Sequence, residues 1–218
     1  MTKKIKIEAL HQFHDEAFAE NWSTKFTPSI ERTALFNTIY KKIKGKKYAR
    51  LHILELGIGP GYLADFLLQR LHGCSYEGVD FSLPMLDIAR RRLLRFLDRV
   101  SLVKANLTKA NWAQSLTKKP TAVVSTWALH DLMRKERIAS VYRRVYEVLA
   151  AGGILLNGDF VKPESSTFPY EGGRIKPSEH LELLSDACFT NPEFLGMYEE
   201  NLDNPTTANN YACFLAIK

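Results

Sequence analysis

The 218-residue sequence predicts an α/β fold: a seven-stranded, mostly parallel sheet with an antiparallel last strand and helices on both faces. Three observations predict it. An apolar run at 51–56 breaks into three closely spaced glycines and resumes at helical spacing. Strand-like runs then alternate with amphipathic helical stretches along the chain. Two strand patterns joined only by a turn-forming segment close it, where continued parallel crossovers would have required another helix.

Leu51, Ile53, Leu54 and Leu56 are too densely apolar for a half-exposed strand and predict a parallel strand covered on both faces. Gly57, Gly59 and Gly61 then free the backbone for positive φ or for close approach of a ligand. Leu63, Phe66, Leu67 and Leu71 mark one face of the next helix, whose N-terminus points at whatever fills the turn. An ordinary glycine turn without a ligand is one reading; two ligand classes supply the others. A dinucleotide fingerprint, Gly-x-Gly-x-x-Gly, seats a pyrophosphate on helix N–H groups. Here Tyr62 stands where the third glycine belongs, Pro60 removes an N–H donor, and Glu55 sets a carboxylate beside the turn that repels a pyrophosphate. A ligand carrying positive charge fits better.

Composition bounds the rest. An apolar fraction of 45% and a charged fraction of 25% are those of a globular protein, and no apolar run approaches the ~20 residues of a membrane span. The basic start has no apolar segment of a secretory signal, so a cytoplasmic location is expected. Cys74, Cys188 and Cys213 form no Cys-x-x-Cys pair, which predicts small core residues and neither disulfide nor metal site. The net charge of +6 admits nucleic acid as a partner, yet much of it sits in Lys41–Lys47 and in Arg90, Arg91, Arg92, Arg95 and Arg99, expected on solvated helix faces. The second cluster spans a helix whose apolar positions are Leu86, Ala89, Leu93 and Leu97.

Residues 1–44 carry no strand pattern and offer two amphipathic helices. The first holds Leu10, Phe13, Phe18 and Trp22; the second starts at Ser29 as N-cap after Pro28, runs through Ile30, Leu35, Ile39 and Ile43, and ends at Gly45. The segment is expected either to cover a site in the 45–218 core as a helical lid or simply to bury its aromatics against it.

After the glycine turn, Ser75–Asp80 is a short strand whose closing carboxylate stands about 20 residues beyond the turn, where it can accept both hydroxyls of a ribose. Capping of the helix opened by Ser82 and Pro84 is the other reading of Asp80. Residues 101–106 are a third strand; Trp112 beyond it either stacks on a base or anchors a helix. Residues 121–126 are the fourth, and Trp127-Ala-Leu-His-Asp-Leu leads from its carboxyl end, the edge where open α/β sheets bind ligands. His130 is the most defensible base in the chain, because imidazole takes a proton near neutral pH; a structural role is the alternative. An amphipathic helix (Ile138, Val141, Tyr142, Val145, Leu149) stops at Ala-Ala-Gly-Gly, and residues 153–161 are the fifth strand. Residues 162–177 form a long loop, either substrate-contacting or merely connecting. A helix at 180–188 and strands at 193–199 and 211–218 end the chain.

The run Glu55-x-Gly57-x-Gly59-x-Gly61, Asp80 at the second strand end and Ala128-Leu-His-Asp-Leu132 after the fourth together resemble the class I S-adenosylmethionine-dependent methyltransferases, with their Rossmann-like fold. The resemblance runs from about residue 46 onward and is greatest to the small-molecule branch that includes ubiquinone and menaquinone biosynthesis methyltransferases. It implies S-adenosyl-L-methionine as cofactor, S-adenosyl-L-homocysteine as product, and a small-molecule acceptor attacking in line through oxygen, nitrogen or carbon. It also implies Glu55 opposite the cationic part of the cofactor, the three glycines and Ser125 around it, Asp80 on the ribose, and Phe81, Met85, Asn106 and Leu107 near the adenosine. Phe18, Trp22 and Trp127 are implied on the acceptor or lid side. Many relatives have an acidic residue at the position of Asn106, which keeps a carbonyl acceptor without the charge. RNA methylation is the alternative within enzymes; a protein that binds the cofactor without catalysis is the alternative outside them. No Asn-Pro-Pro-Tyr type motif and no interleaving of basic and aromatic residues support RNA.

Overall fold

The computed structural model describes residues 12–25, 27–203, 205–206 and 208–218. In chain order these form α1 (Glu16–Lys25), α2 (Ile30–Lys44), β1 (His52–Leu56), α3 (Tyr62–Leu68), β2 (Ser75–Asp80), α4 (Leu83–Arg92), β3 (Val100–Lys104), β4 (Ala122–Thr126), α5 (Lys135–Val148), β5 (Ile154–Phe160), α6 (Pro177–Asp186), β6 (Thr190–Tyr198) and β7 (Tyr211–Ile217). The expected seven-stranded sheet is present, in the order β3-β2-β1-β4-β5-β7-β6. The first five strands pair in parallel; β7 lies antiparallel between β5 and β6. That insertion has no local signal, because β7 pairs with β5 across α6 and β6.

Dense apolar patterning translates directly into burial. Every residue of β1 and β5 is buried, as strands covered on both faces require. One face meets α2, α3 and α4, with Leu35, Ile39, Ile53, Leu67 and Leu156 inaccessible. The other meets α5 and α6, with Leu54, Val123, Tyr142, Val145 and Leu155 buried there.

The 1–44 segment is less uniform than its pattern suggested. Ser29 caps α2 as expected, its hydroxyl accepting from Arg32 N at 3.2 Å. Leu35 packs so closely on β5 that a Cβ on Gly158 would stand 2.6 Å from its Cδ2, so α2 is a core helix. Ile30, at its first turn, is exposed rather than buried. Residues 12–25 instead lie over α4: Ser82 Oγ donates to Phe13 O at 2.5 Å, Tyr62 Oη donates to Ser23 O at 2.8 Å, and Arg91 pairs with Glu20. Leu10 lies outside the described residues.

Three further expectations are corrected. Cys74 and Cys213 are buried, but Cys188 is exposed, because at φ 70° it leads the chain out of α6. Helix α4 ends at Arg92 and gives way to a 3-10 turn at Leu94–Phe96, which turns Leu97 to solvent. Two members of the arginine cluster are structural: Arg92 donates to Pro60 O at 2.7 Å, and Arg99 donates to Leu68 O at 2.7 Å and Leu71 O at 3.0 Å, satisfying carbonyls at the end of α3. Among the described residues no helix is long and apolar enough to cross a membrane, and no cluster of metal-ligating side chains occurs.

Candidate active site

A cleft opens at the carboxyl ends of β1, β2 and β4, with about 980 Å³ of empty space, its solvent-facing part included. Parallel topology creates it: β2 and β4 flank β1 on opposite sides, so the loops leaving β1 and β4 part at this edge.

The floor is the glycine turn. Gly57, Gly59 and Gly61 have φ of 68°, 51° and 80°, the left-handed region that penalises a side chain. Gly57 also has no room for one, since its Cβ would meet Ala128 Cβ at 2.4 Å. Gly57 N and Ile58 N both donate to Val79 O, at 2.9 and 3.0 Å, strapping the turn to the end of β2.

Asp80 completes that strap. Its Oδ2 accepts from Gly59 N at 2.8 Å and its Oδ1 from Ser82 N at 2.9 Å, and it faces the cleft; the N-cap of α4 is Ser82 rather than Asp80, its hydroxyl accepting from Met85 N at 3.2 Å. Burial pushes its carboxyl up to about 6, against the lowering effect of hydrogen bonds from Ser82, Gly59 and Phe81. Glu55, 1% exposed, accepts from Tyr76 Oη at 2.6 Å and lines the cleft beside the turn. Burial raises it to about 8, opposed by the Tyr76 bond and reinforced by the charge of Asp80. A cation entering here would take the place of the missing solvation.

The walls combine predicted and unforeseen residues. Phe81, Met85, Asn106 and Leu107 line one side. The Asn106 carbonyl oxygen already accepts from Thr108 N at 2.9 Å and from Thr108 Oγ1 at 2.8 Å, which occupies both its lone pairs. Trp22 and Trp127 line the other parts, Trp127 at φ 50°, a strained backbone for a bulky residue. Phe18 does not line the cleft; it packs edge-on against Phe13, which does. Gly61 and Ser125 also stand behind the surface, Gly61 against Ala89 and Ser125 donating to Leu56 O at 3.0 Å. Trp112 is a buried core anchor, and the 162–177 loop contributes nothing to the lining.

His130 lies just outside the cleft wall. Its Nδ1 is 2.7 Å from Asp159 Oδ1, its N–H donates to Asp159 Oδ2 at 2.8 Å, and its ring packs edge-on to Phe160. Burial by itself would lower its proton affinity, but the charges of Asp159 and Asp131 and the Asp159 hydrogen bond outweigh it, with Arg174 opposing, and the net shift is upward. Asp131, its neighbour, was not singled out from the sequence; it lines the cleft and stands 3.4 Å from His130 Nε2. Phe36, on α2, is another unanticipated wall residue, its sole signal being membership of an amphipathic helix. His130→Ala leaves Asp159 fully buried without its imidazole, an expected loss of about 3–5 kcal/mol in stability. Thermal unfolding checks this; an unchanged midpoint contradicts it.

Residues 53–153 match the model of a family described as a methyltransferase domain. Trans-aconitate 2-methyltransferase of Paracidovorax citrulli is 32% identical over 107 residues, 49% of this chain and 38% of the relative. Ribosomal RNA small subunit methyltransferase H of Thermotoga neapolitana is 38% identical over 60 residues, 28% of this chain and 20% of the relative. The chain thus spans less than two thirds of the length of these curated relatives. Among solved structures, magnesium protoporphyrin IX methyltransferase of Synechocystis PCC 6803, described with bound S-adenosylmethionine, superposes with a TM-score of 0.67 at 15% identity, covering 94% of this chain and 93% of that one.

Proposed function

We propose that this chain, whose fold superposes on that of a methyltransferase and whose residues 53–153 match the model of a methyltransferase domain, is an S-adenosylmethionine-dependent methyltransferase acting on a small molecule. The observation that carries the reading is Asp80, a carboxylate tied by Gly59 N–H to the glycine turn and open to the cleft, with a second carboxylate, Glu55, beside the same turn. The residues fit the cofactor. Asp80 would hold the ribose hydroxyls on its remaining lone pairs, Glu55 would oppose the ammonium, and Phe81, Met85 and Leu107 would flank the adenosine. Main-chain groups near Ala105 and Leu107 would meet the adenine amino group, because the Asn106 carbonyl is already engaged. Bound S-adenosylmethionine supplies a methyl group activated on a sulfonium.

The chain's own task is then alignment. Residues 12–25 act as a lid that keeps water out, with Phe13 and Trp22 on its inner surface, while Trp127 positions the acceptor from the β4 loop. Positioning of this kind is worth about 7–11 kcal/mol. His130 holds the β4 loop in place through Asp159, and on this reading it positions that loop instead of acting at the reacting atoms. Transfer of labelled methyl groups from S-adenosylmethionine to a small-molecule acceptor panel tests the reading; transfer to ribosomal RNA alone would replace it by the RNA reading.

Glu55 makes binding pH-dependent. In the free protein it holds, up to about pH 8, a proton that an unfolded chain loses near 4.5. The free protein therefore loses stability as pH rises from 6.5 to 8, and the raised His130 acts in the same direction. Over this window Asp80, at about 6, has largely finished titrating, and His180, pulled down by burial to about 4, opposes the fall only at its lower edge, where an unfolded imidazole still loses its proton. An ammonium beside Glu55 ionises it, so cofactor binding releases a proton and affinity rises with pH. Calorimetry at pH 7 in buffers of different ionisation enthalpy reads that proton; none released, or the same release from Glu55→Gln, contradicts the assignment.

A further inference from the structure

Among the described residues the cleft lining contains three carboxylates, Glu55, Asp80 and Asp131, and no lysine, arginine or histidine. Glu55 and Asp80 are accounted for by the cofactor on the reading proposed above, on which this inference rests. Asp131 is not. It leaves the β4 loop beside Trp127, and it is held there: His130 Nε2 stands 3.4 Å from its Oδ1, and His130 is itself fixed by the inaccessible Asp159 through two contacts of 2.7 and 2.8 Å. Its charge acts on Asp80, so the carboxylates share one field. Four aromatic side chains, Phe13, Trp22, Phe36 and Trp127, line the same cleft. Two guanidinium groups stack on lining rings without lining the cleft themselves, Arg32 on Trp127 and Arg92 on Tyr62.

We infer that the acceptor is an uncharged, weakly basic nitrogen on a flat aromatic body, and that Asp131 is the side chain that selects it. An anionic acceptor would enter a cleft whose ionisable lining, among the described residues, consists of carboxyl groups alone. A neutral amine binds without that penalty and gains during the reaction. Its lone pair forms the bond to the methyl carbon while the carbon–sulfur bond breaks and leaves its electron pair on sulfur. The positive charge passes to nitrogen, within reach of Asp131 and of aromatic faces that favour a cation. The nitrogen then gives its proton to Asp131 and so to water. A carboxylate acceptor, as the name of the trans-aconitate enzyme implies for that relative, would meet no cationic side chain in the lining among the described residues.

The test is equilibrium binding of three probes matched in shape, an aminoquinoline, the hydroxyquinoline and the quinoline carboxylate substituted at one ring position. Each is titrated into the full chain saturated with S-adenosylhomocysteine, for wild type and Asp131→Asn. The amine is expected to bind at least about tenfold more tightly than the carboxylate, and the variant to erase most of that difference. S-adenosylhomocysteine affinity is expected to change little in the variant. Equal or preferred binding of the carboxylate by wild type, or an amine preference that survives Asp131→Asn, overturns the inference. Failure of S-adenosylhomocysteine to bind at all overturns the methyltransferase reading instead, and the two failures are read from separate titrations.

Discussion

Asp80→Ala lowers affinity for S-adenosylmethionine and S-adenosylhomocysteine by about a hundredfold or more, while His130→Ala lowers it by less than about tenfold in the folded protein. Hydrogen bonds to a charged acceptor contribute about 1.5–3 kcal/mol each, so losing two ribose contacts accounts for the first figure. The same substitution frees Gly59 N and Ser82 N, which Asp80 holds at 2.8 and 2.9 Å, and the glycine turn loses its anchor. Asp80→Asn separates these effects: one carbonyl oxygen remains to accept, and the loss should be intermediate. His130 acts through Asp159 and the β4 loop rather than at the cofactor, so its removal is read chiefly in unfolding. Comparable losses of affinity for the two alanine variants would mean that Asp80 is no ribose ligand.

Gly173→Ala is expected to destabilise the protein by about 3 kcal/mol, a fall in Tm of about 10 °C. A Cβ there would stand 1.7 Å from His130 O and 2.6 Å from its carbonyl carbon, atoms of the main chain that cannot rotate aside. Gly172 is similarly close to Met133 O, at 2.9 Å from its notional Cβ. The 162–177 loop therefore supports the β4 loop from behind, clasping the turn that presents Asp131. Turnover of the folded fraction should fall as well, since any accommodation must displace His130 and Asp131. A variant with wild-type midpoint and turnover would show that the two loops are not so closely apposed.

What could be read from the sequence had a local physical cause. Gly57, Gly59 and Gly61 occupy backbone conformations that other residues resist, and Glu55 and Asp80 are carboxylates at strand ends where helix or strand propensity gives them no reason to be. Dense apolar runs reported β1 and β5, and Ser29 and Gly45 bounded α2 as expected. What could not be read depends on distant partners. Nothing near β7 says that it slots between β5 and β6, and nothing near Arg99 says that it caps α3. Within Ala-Leu-His-Asp-Leu, the 3-10 turn at His130–Leu132, followed by Met133 at φ 62°, decides that Asp131 and not His130 lines the cleft. The position of Asn106 was legible, but the capture of its carbonyl by Thr108 was a matter of side-chain geometry.

Calorimetric titration with S-adenosylmethionine, S-adenosylhomocysteine and NAD, on the wild-type chain and on Asp80→Ala, tests the account most directly. Saturable binding of both adenosyl ligands, no binding of NAD, and loss of the adenosyl ligands in the variant are the predicted results. Preference for NAD, or no binding of either adenosyl ligand to the wild type, would contradict it.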